Sequence, residues 1–490
     1  MIRRIAWSLL LSVTFGLGCG AGGNDSGSGP SGGSGGSPGT VVGSGGGSPT
    51  GATTGSGDST GSGGSGGSGQ GGDGTGGPTL DGGTGGAGGG GGVGYLDGGP
   101  VVAPHTVVHD GEKLAQIKQQ LAGGNAQISA VLPKLLALAN AALTAGPWSV
   151  MDKTTTPPSG NKHDYISLAR YYWPTAGSAN GCPYVHKDGQ TNPDCGSNRW
   201  DHASRHAAMD AIYNLAMAWY FTGDSRYSDR AELVVRTWFL NPATAMNPNI
   251  NYGEGVPCLR DGAGTGVLNW TEVIGEALDG IAVLDSGAPG WSTADQMGMR
   301  TWLTAFLKWL QTNSLATKEA AASNNHGTWY DTGVSAIMLS LGQTAETKTL
   351  VENSKKRIAS QIRSDGTQPE ELARTNSWGY SNWNLEGFCL LASTAKRVGV
   401  DLWGYTSTGG GSIPKAIDYL IRGAEQGKSA WPHQQIAPFE QSWPVSLFHG
   451  ATDFANDAST RAALPMVPAP AGGDLWALLP ICTPAAIQTN

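Results

Sequence analysis

The sequence predicts an all-α protein, an α/α toroid in which antiparallel helical hairpins form an incomplete barrel. Three observations predict it. Apolar residues recur at helical spacing in one segment after another from His206 to Ala424. Gly, Pro and Asp mark the turns between those segments. Stretches that alternate apolar and polar residues, as strands do, are few. Successive helical hairpins that must bury one face close into a ring and leave a groove at one end, lined by inter-helix loops.

The chain has 490 residues, a length that by itself suggests two to four domains. Composition lowers that number. Residues 1–19 read as an export signal: Arg3 and Arg4 precede a short apolar run, Ile5 to Leu17. Leu17-Gly18-Cys19 resembles a bacterial lipobox, with Gly16 where that motif usually has Leu, so Cys19 is the expected lipidation site. From Gly20 to Pro100 the chain is almost entirely Gly, Ser, Thr and a few Asp. Such a segment, here bounded as 20–103, has too little apolar surface to offset the entropy of ordering and reads as a tether. Residues 104–490 read as one catalytic-sized domain. The expected location is the outer membrane or cell surface, otherwise the periplasm or medium. Contact with a membrane is expected only through the lipid anchor.

Within the domain, His206 to Phe221 places Met209, Ile212, Tyr213, Ala216, Trp219 and Tyr220 on a helix. Thr222-Gly223-Asp224 turns the chain. A second helix runs through Leu233, Val234 and Trp238 to Asn241-Pro242. Val267 to Leu284, Thr293 to Thr312, Gly333 to Leu341, Thr347 to Ile362, Leu385 to Val398 and Ile413 to Ala424 follow the same pattern.

Export permits disulfides. Cys182 and Cys195 flank a polar loop and are the expected pair, worth roughly 3 kcal/mol in loop closure. Cys389 lies in an apolar run and reads as a buried thiol; Cys258 and Cys482 are unassigned. The net charge of −8 argues against a nucleic-acid partner. For an anionic ligand, local basic residues in a cleft matter more than that total.

Several motifs fail on inspection. Gly32 to Gly36 matches GxSxG inside the low-complexity tether. Gly262 to Gly266 lacks the Lys of a phosphate loop. His202 and His206 have the i, i+4 spacing of metal ligands but no intervening Glu, so a helix-surface pair is the default and no metal is expected.

Two segments differ. Asn324-Asn325-His326-Gly327-Thr328-Trp329-Tyr330-Asp331 gathers two amides, a histidine and aromatics between helical stretches; taken alone it could be a polar helix cap. Glu370-Glu371 to Trp383 places Arg374 and Tyr380 in an aromatic, polar loop before a helix, which alone could be a buried Arg–Glu network. Together they meet a chemical need. Elimination across C4–C5 of a uronate removes a proton α to a carboxylate. Amide, imidazolium or guanidinium donors neutralise that carboxylate. A base takes the proton and an acid protonates the leaving oxygen. A Tyr whose pKa is lowered by nearby cations can do both.

These segments resemble the alginate lyase family with the α/α toroid fold. The resemblance includes Asp152-Lys153-Thr154, Pro157 to Gly160, Lys162-His163-Asp164-Tyr165 and Tyr172-Trp173-Pro174. It continues through Lys187-Asp188-Gly189, Asn192-Pro193, Tyr220 to Asp224, Arg236 to Phe239, Met246 to Asn249, Asn324 to Asp331, Glu371 to Tyr380 and Trp431-Pro432. It implies that Asn325 and Arg374 neutralise the uronate carboxylate, that Tyr380 is acid and base, and that His326 is a base or carboxylate partner. It implies that Lys162, His163, Tyr165 and Trp173 line the groove, with Asn324, Trp329 and Tyr330 also binding substrate. No cofactor is implied, and the partner is an anionic polysaccharide. Two departures stand out. The family often has Arg where this chain has Ala263, and the Arg374-to-Tyr380 spacing is one residue shorter than in its alginate-specific branch. Alginate is the first expected substrate; glucuronan or another polyuronate is the alternative. Two other readings remain: a glycoside hydrolase using Glu254, Glu272, Glu370 or Glu371, and a surface glycan-binding protein without turnover.

Limited proteolysis is expected to trim residues 20–100 and leave a folded fragment starting near residue 104. Loss of helical circular dichroism on trimming would refute this division.

Overall fold

The computed structural model describes residues 101–482. The leader, Cys19 and the tether up to Pro100 lie outside the described residues.

Helix α1 (Gly111–Ala122) starts where Asp110 accepts a hydrogen bond from the Lys113 amide. Before it, the amides of Val107, Val108 and His109 donate to the Asp279 carboxylate, which fastens the entering chain to the core. Helix α2 (Ala126–Thr144) is long and apolar enough by composition to cross a membrane, although no segment beyond the leader was read from the sequence as spanning one. Its Leu132, Leu135 and Leu138 are buried, and it packs along the helix that follows the first loop region.

That loop region holds strand β1 (Ile166–Leu168) and the antiparallel pair β2 (Tyr172–Trp173) and β3 (Val185–His186). Helix α3 (His202–Thr222) stops at Gly223, which adopts the left-handed conformation glycine tolerates. Helix α4 (Ser225–Val235) runs into a π-helical turn, Arg236–Leu240, and ends before Pro242 as the sequence indicates. Strand β4 (Tyr252–Gly255) pairs in parallel with β1.

Val267 to Leu284 was expected as one helix but forms two, α5 (Thr265–Thr271) and α6 (Ile274–Asp285). No proline causes the break. Glu272 at the junction faces Arg205 at 3.5 Å and His206 at 3.4 Å on α3, contacts that the local periodicity does not record. Helix α7 (Thr293–Thr312) has the predicted limits and a Ser292–Asp295 capping box. Then come α8 (Ser314–Ala320), α9 (Asn325–Ser340), α10 (Thr344–Gln361), α11 (Pro369–Leu372), α12 (Ser377–Arg397), α13 (Ile413–Gln426), α14 (Val445–Phe454) and α15 (Ala458–Ala463).

The packing is that of the expected toroid. Helix α3 lies on α6, α6 on α9, and α9 on α12, forming an inner series. Helices α4, α10 and α13 back onto α3, α9 and α12 from outside. The inner helices are buried around most of their circumference, which is why α9 and α12 read as nearly continuous apolar and small residues. Helix α12 joins two cores. Tyr380, Trp383 and Leu390 face the larger one, and Trp378, Leu385 and Phe388 the smaller.

The expected Cys182–Cys195 bond is not formed. Cys182 pairs with Cys258, Cα to Cα 6.3 Å, and Cys389 pairs with Cys482 at 6.1 Å. Cys195 sits in a 3₁₀ turn, buried with Ile166, Leu168 and Trp200, and burial pushes its thiol up to about 11. Cys389 is buried as expected but is not a free thiol, because the C-terminal segment brings Cys482 to it. Both partners are distant in sequence, so short spacing was a misleading guide. Non-reducing peptide mapping should recover Cys182–Cys258 and Cys389–Cys482, with Cys195 alkylated only after denaturation. A Cys182–Cys195 peptide would contradict this.

Candidate active site

Both candidate segments lie at the N-terminal ends of inner helices. Asn324 is the N-cap of α9: its Oδ1 accepts from the His326 amide at 3.3 Å. Asn325 and His326 therefore occupy the first turn of α9. Tyr380 occupies the first turn of α12, and Arg374 lies just before it, after the short α11.

Glu371 connects the two segments. It is 1% exposed. Its Oε1 accepts from the Asn325 backbone amide at 2.8 Å and its Oε2 from Asn325 Nδ2 at 2.6 Å. Burial pushes the Glu371 carboxyl up to about 7, against the opposing effects of Asn325, Arg374 and His326. The Asn325 Oδ1 is buried and has no hydrogen-bond partner among the described residues.

Arg374 Nη2 donates to Asp188 Oδ1 at 2.6 Å and to the Tyr380 hydroxyl at 2.8 Å, with the guanidinium 3.7 Å from the Tyr380 ring centre. The Tyr380 hydroxyl also shares a hydrogen bond with that of Tyr171, at 2.7 Å. Cations were expected to lower the Tyr380 pKa. Burial outweighs them: it holds the phenol well above its usual value, Tyr171 adds to the rise, and Arg374 only moderates it. The resting side chain is a neutral phenol, suited to donating a proton.

His326 Nδ1 donates to Glu319 Oε1 at 2.5 Å. Nearby, Asn269 Nδ2 donates to Glu254 Oε1 at 3.2 Å, and Arg170 Nη2 to Asn269 Oδ1 at 3.1 Å. Glu254 has φ of 50°, a backbone region costly for a residue with a side chain.

The β2–β3 hairpin approaches this group through Asp188, whose Oδ2 also accepts from Thr375 Oγ1 at 2.9 Å. Gly189, at φ of 71°, lies so close to Thr375 and Asn376 that a Cβ would collide with them. Glycine there lets the hairpin seat against the catalytic segment.

The structure thus brings Asn325, His326, Arg374 and Tyr380 together through Glu371 and Arg374. The proposed substrate contacts fare differently. Trp329 is fully buried against Trp383, ring centres 5.6 Å apart. Tyr165 is fully buried against Trp270 at 5.6 Å, and Tyr330 is buried with its hydroxyl on the Leu310 carbonyl at 2.9 Å. These three are buried in the larger core; aromatic type and neighbouring motifs do not say which face of a helix a ring occupies. Lys162 Nζ is taken by the Met151 carbonyl at 3.1 Å and His163 Nδ1 by the Ala245 carbonyl at 2.6 Å. Trp173 is partly exposed, donates Nε1 to the Gln190 carbonyl at 2.9 Å, and lies under Lys187 Nζ at 5.0 Å. Asn324 serves as the cap.

His202 and His206 pack ring to ring at 4.8 Å beside Arg205 and Glu272, an ion-pair network and not a bare surface pair. The sequence reading missed Tyr171, Asp188 as the Arg374 partner, and Glu319. Asp188 and Tyr171 lie in or beside motifs already noted, but nothing in the one-dimensional pattern says what they touch.

A helical toroid that gathers amide, imidazole, guanidinium and phenol groups at the N-terminal ends of two inner helices fits the class of polysaccharide lyases, and the comparisons place the chain there. The profile of the alginate lyase family matches residues 149–431, more than half of the chain. The crystal structure of an alginate lyase from Bacteroides ovatus is 32% identical, with a TM-score of 0.72 over 76% of this chain and 99% of that one. Crystal structures of alginate lyase A1-III complexed with a tetrasaccharide are 15% identical, with TM-scores of 0.49. They cover 76% and 77% of this chain and 95% of theirs. No match was found among curated protein sequences. The chain belongs to the alginate lyase family.

Proposed function

We propose that the protein cleaves alginate by β-elimination and leaves a C4–C5 unsaturated uronate at the new end. The observation that carries this reading is the Glu371–Arg374 segment, which holds Asn325 with one residue and Tyr380 with the other. The uronate carboxylate lies against the Asn325 amide and the Arg374 guanidinium, which draw off its charge and make the C5 proton removable. His326 takes that proton. The electron pair forms the C4–C5 double bond, the C4–O4 bond breaks, and the neutral Tyr380 phenol donates its proton to O4. Of the carboxylates open to the hydrolase reading, Glu371 is bonded to Asn325, Glu272 is paired with Arg205 and His206, and Glu254 accepts from Asn269. The family relationship and the fold support a lyase acting on an anionic polysaccharide.

We also propose export and lipidation at Cys19, with the tether carrying the enzyme away from the membrane. Labelling with a fatty-acid analogue that survives in Cys19→Ser would refute the anchor.

A polyuronate panel including alginate and glucuronan, followed by ultraviolet absorbance of the conjugated product, tests the substrate. Tyr380→Phe should keep the fold and lose about 10²–10⁴-fold in kcat, the usual worth of a positioned proton transfer. Glu371→Gln should retain far more activity. Its amide oxygen still accepts from the Asn325 backbone, and its NH₂ can face a flipped Asn325 amide. A dead Glu371→Gln beside an active Tyr380→Phe, both folded by circular dichroism, would replace elimination with hydrolysis.

Extensive chelation should leave the rate nearly unchanged, because protein donors supply the neutralising charge. A large loss restored by calcium or zinc would overturn that assignment.

A further inference from the structure

Glu319 lies on α8, where no sequence motif marks it. It is 4% exposed, and His326 is its one ion-pair partner among the described residues. A buried carboxylate with a single partner is costly unless that partner shares its charge. The loop around Gly262 to Gly266 closes over it. A Cβ on Gly264 would stand 3.3 Å from Glu319 Oε2 and 3.0 Å from the Leu315 carbonyl, so glycine is what lets the loop cover the acid. An ionised carboxylate only accepts hydrogen bonds, which places the hydrogen on His326 Nδ1 and leaves Nε2 as the free ring position.

We propose that Glu319 is a positioning residue for the elimination: it holds His326 in the tautomer that presents Nε2 to the C5 proton, and it stabilises the imidazolium formed when that proton arrives. This rests on the lyase reading above. The charged groups facing the ring are Glu319, Glu254 and Glu371, with Arg374 beside Glu371. Burial lowers the His326 pKa, but Glu319, then Glu254 and Glu371, raise it, and the net shift is upward.

The sign of the pH effect follows. A base must be unprotonated, so the acid limb of kcat/KM tracks His326. Removing the Glu319 charge lowers the His326 pKa, moves that limb to lower pH and weakens the base. Glu319→Gln should therefore shift the acid limb down and reduce kcat by roughly 10²-fold, the lower end of what positioned proton transfer supplies, with KM little changed. Glu319→Asp should recover part of the loss. Independently of turnover, the NMR titration midpoint of His326, assigned by its loss in His326→Ala, should fall in Glu319→Gln. An unchanged midpoint in a folded variant overturns the proposal. So does a shift of the alkaline limb in place of the acid one, which would make His326 a protonated donor. If the wild-type protein cleaves no polyuronate, the lyase reading fails, while the titration still decides whether Glu319 governs His326.

Discussion

The buried Glu371 carboxylate is the contact on which the site depends. Helix α9 and the segment before α12 have separate backbones, and nothing local sets their distance. Glu371 sets it by accepting both the backbone and side-chain N–H of Asn325. A carboxylate so deeply buried needs both donors, and losing either would leave an uncompensated polar group of high cost. The Arg374 amide in turn donates to the Glu371 carbonyl at 3.2 Å, so the arginine follows the position of the glutamate. Arg374 then orients Tyr380. One side chain passes its placement along to Asn325, Arg374 and Tyr380.

The location of these groups at the N-terminal ends of α9 and α12 has an electrostatic consequence. The positive end of the helix dipole favours anions there, while the first amides are already bonded within the protein, that of Asn325 to Glu371, of His326 to Asn324 and of Trp378 to Gln435. Arg374, paired with Asp188, adds a cation at the same end of α12. The net charge of −8 is spread over the whole chain and does not oppose this.

The hairpin β2–β3 is fastened on two sides. Asp188 ties it to Arg374 and Thr375, and Cys182 ties it to the loop that follows β4 through Cys258. That loop continues to Gly264 over Glu319. Hairpin, loop and catalytic groups therefore share constraints, and a change in one is expected to reach the others. Tyr171, just before β2, brings its hydroxyl to Tyr380 through the same arrangement.

The helical class, the order of hairpins and the limits of α7 were legible in sequence because amphipathic period and capping are local. The four candidate residues were picked out in sequence because the reaction demands their types together. Helix α9 began eight residues earlier than apolar periodicity indicated, since Asn324 caps it and the first turns of an inner helix carry polar groups toward the groove. The division of Val267 to Leu284 was invisible because no proline marks it, and Glu272 at the junction has its partner Arg205 on α3, far off in sequence. The disulfide pairing, the burial of Trp329, Tyr165 and Tyr330, and the partners of Asp188, Glu319 and Glu371 were decided by tertiary structure. Each depends on which surfaces meet when distant segments pack, and residue type and spacing carry no record of that distance.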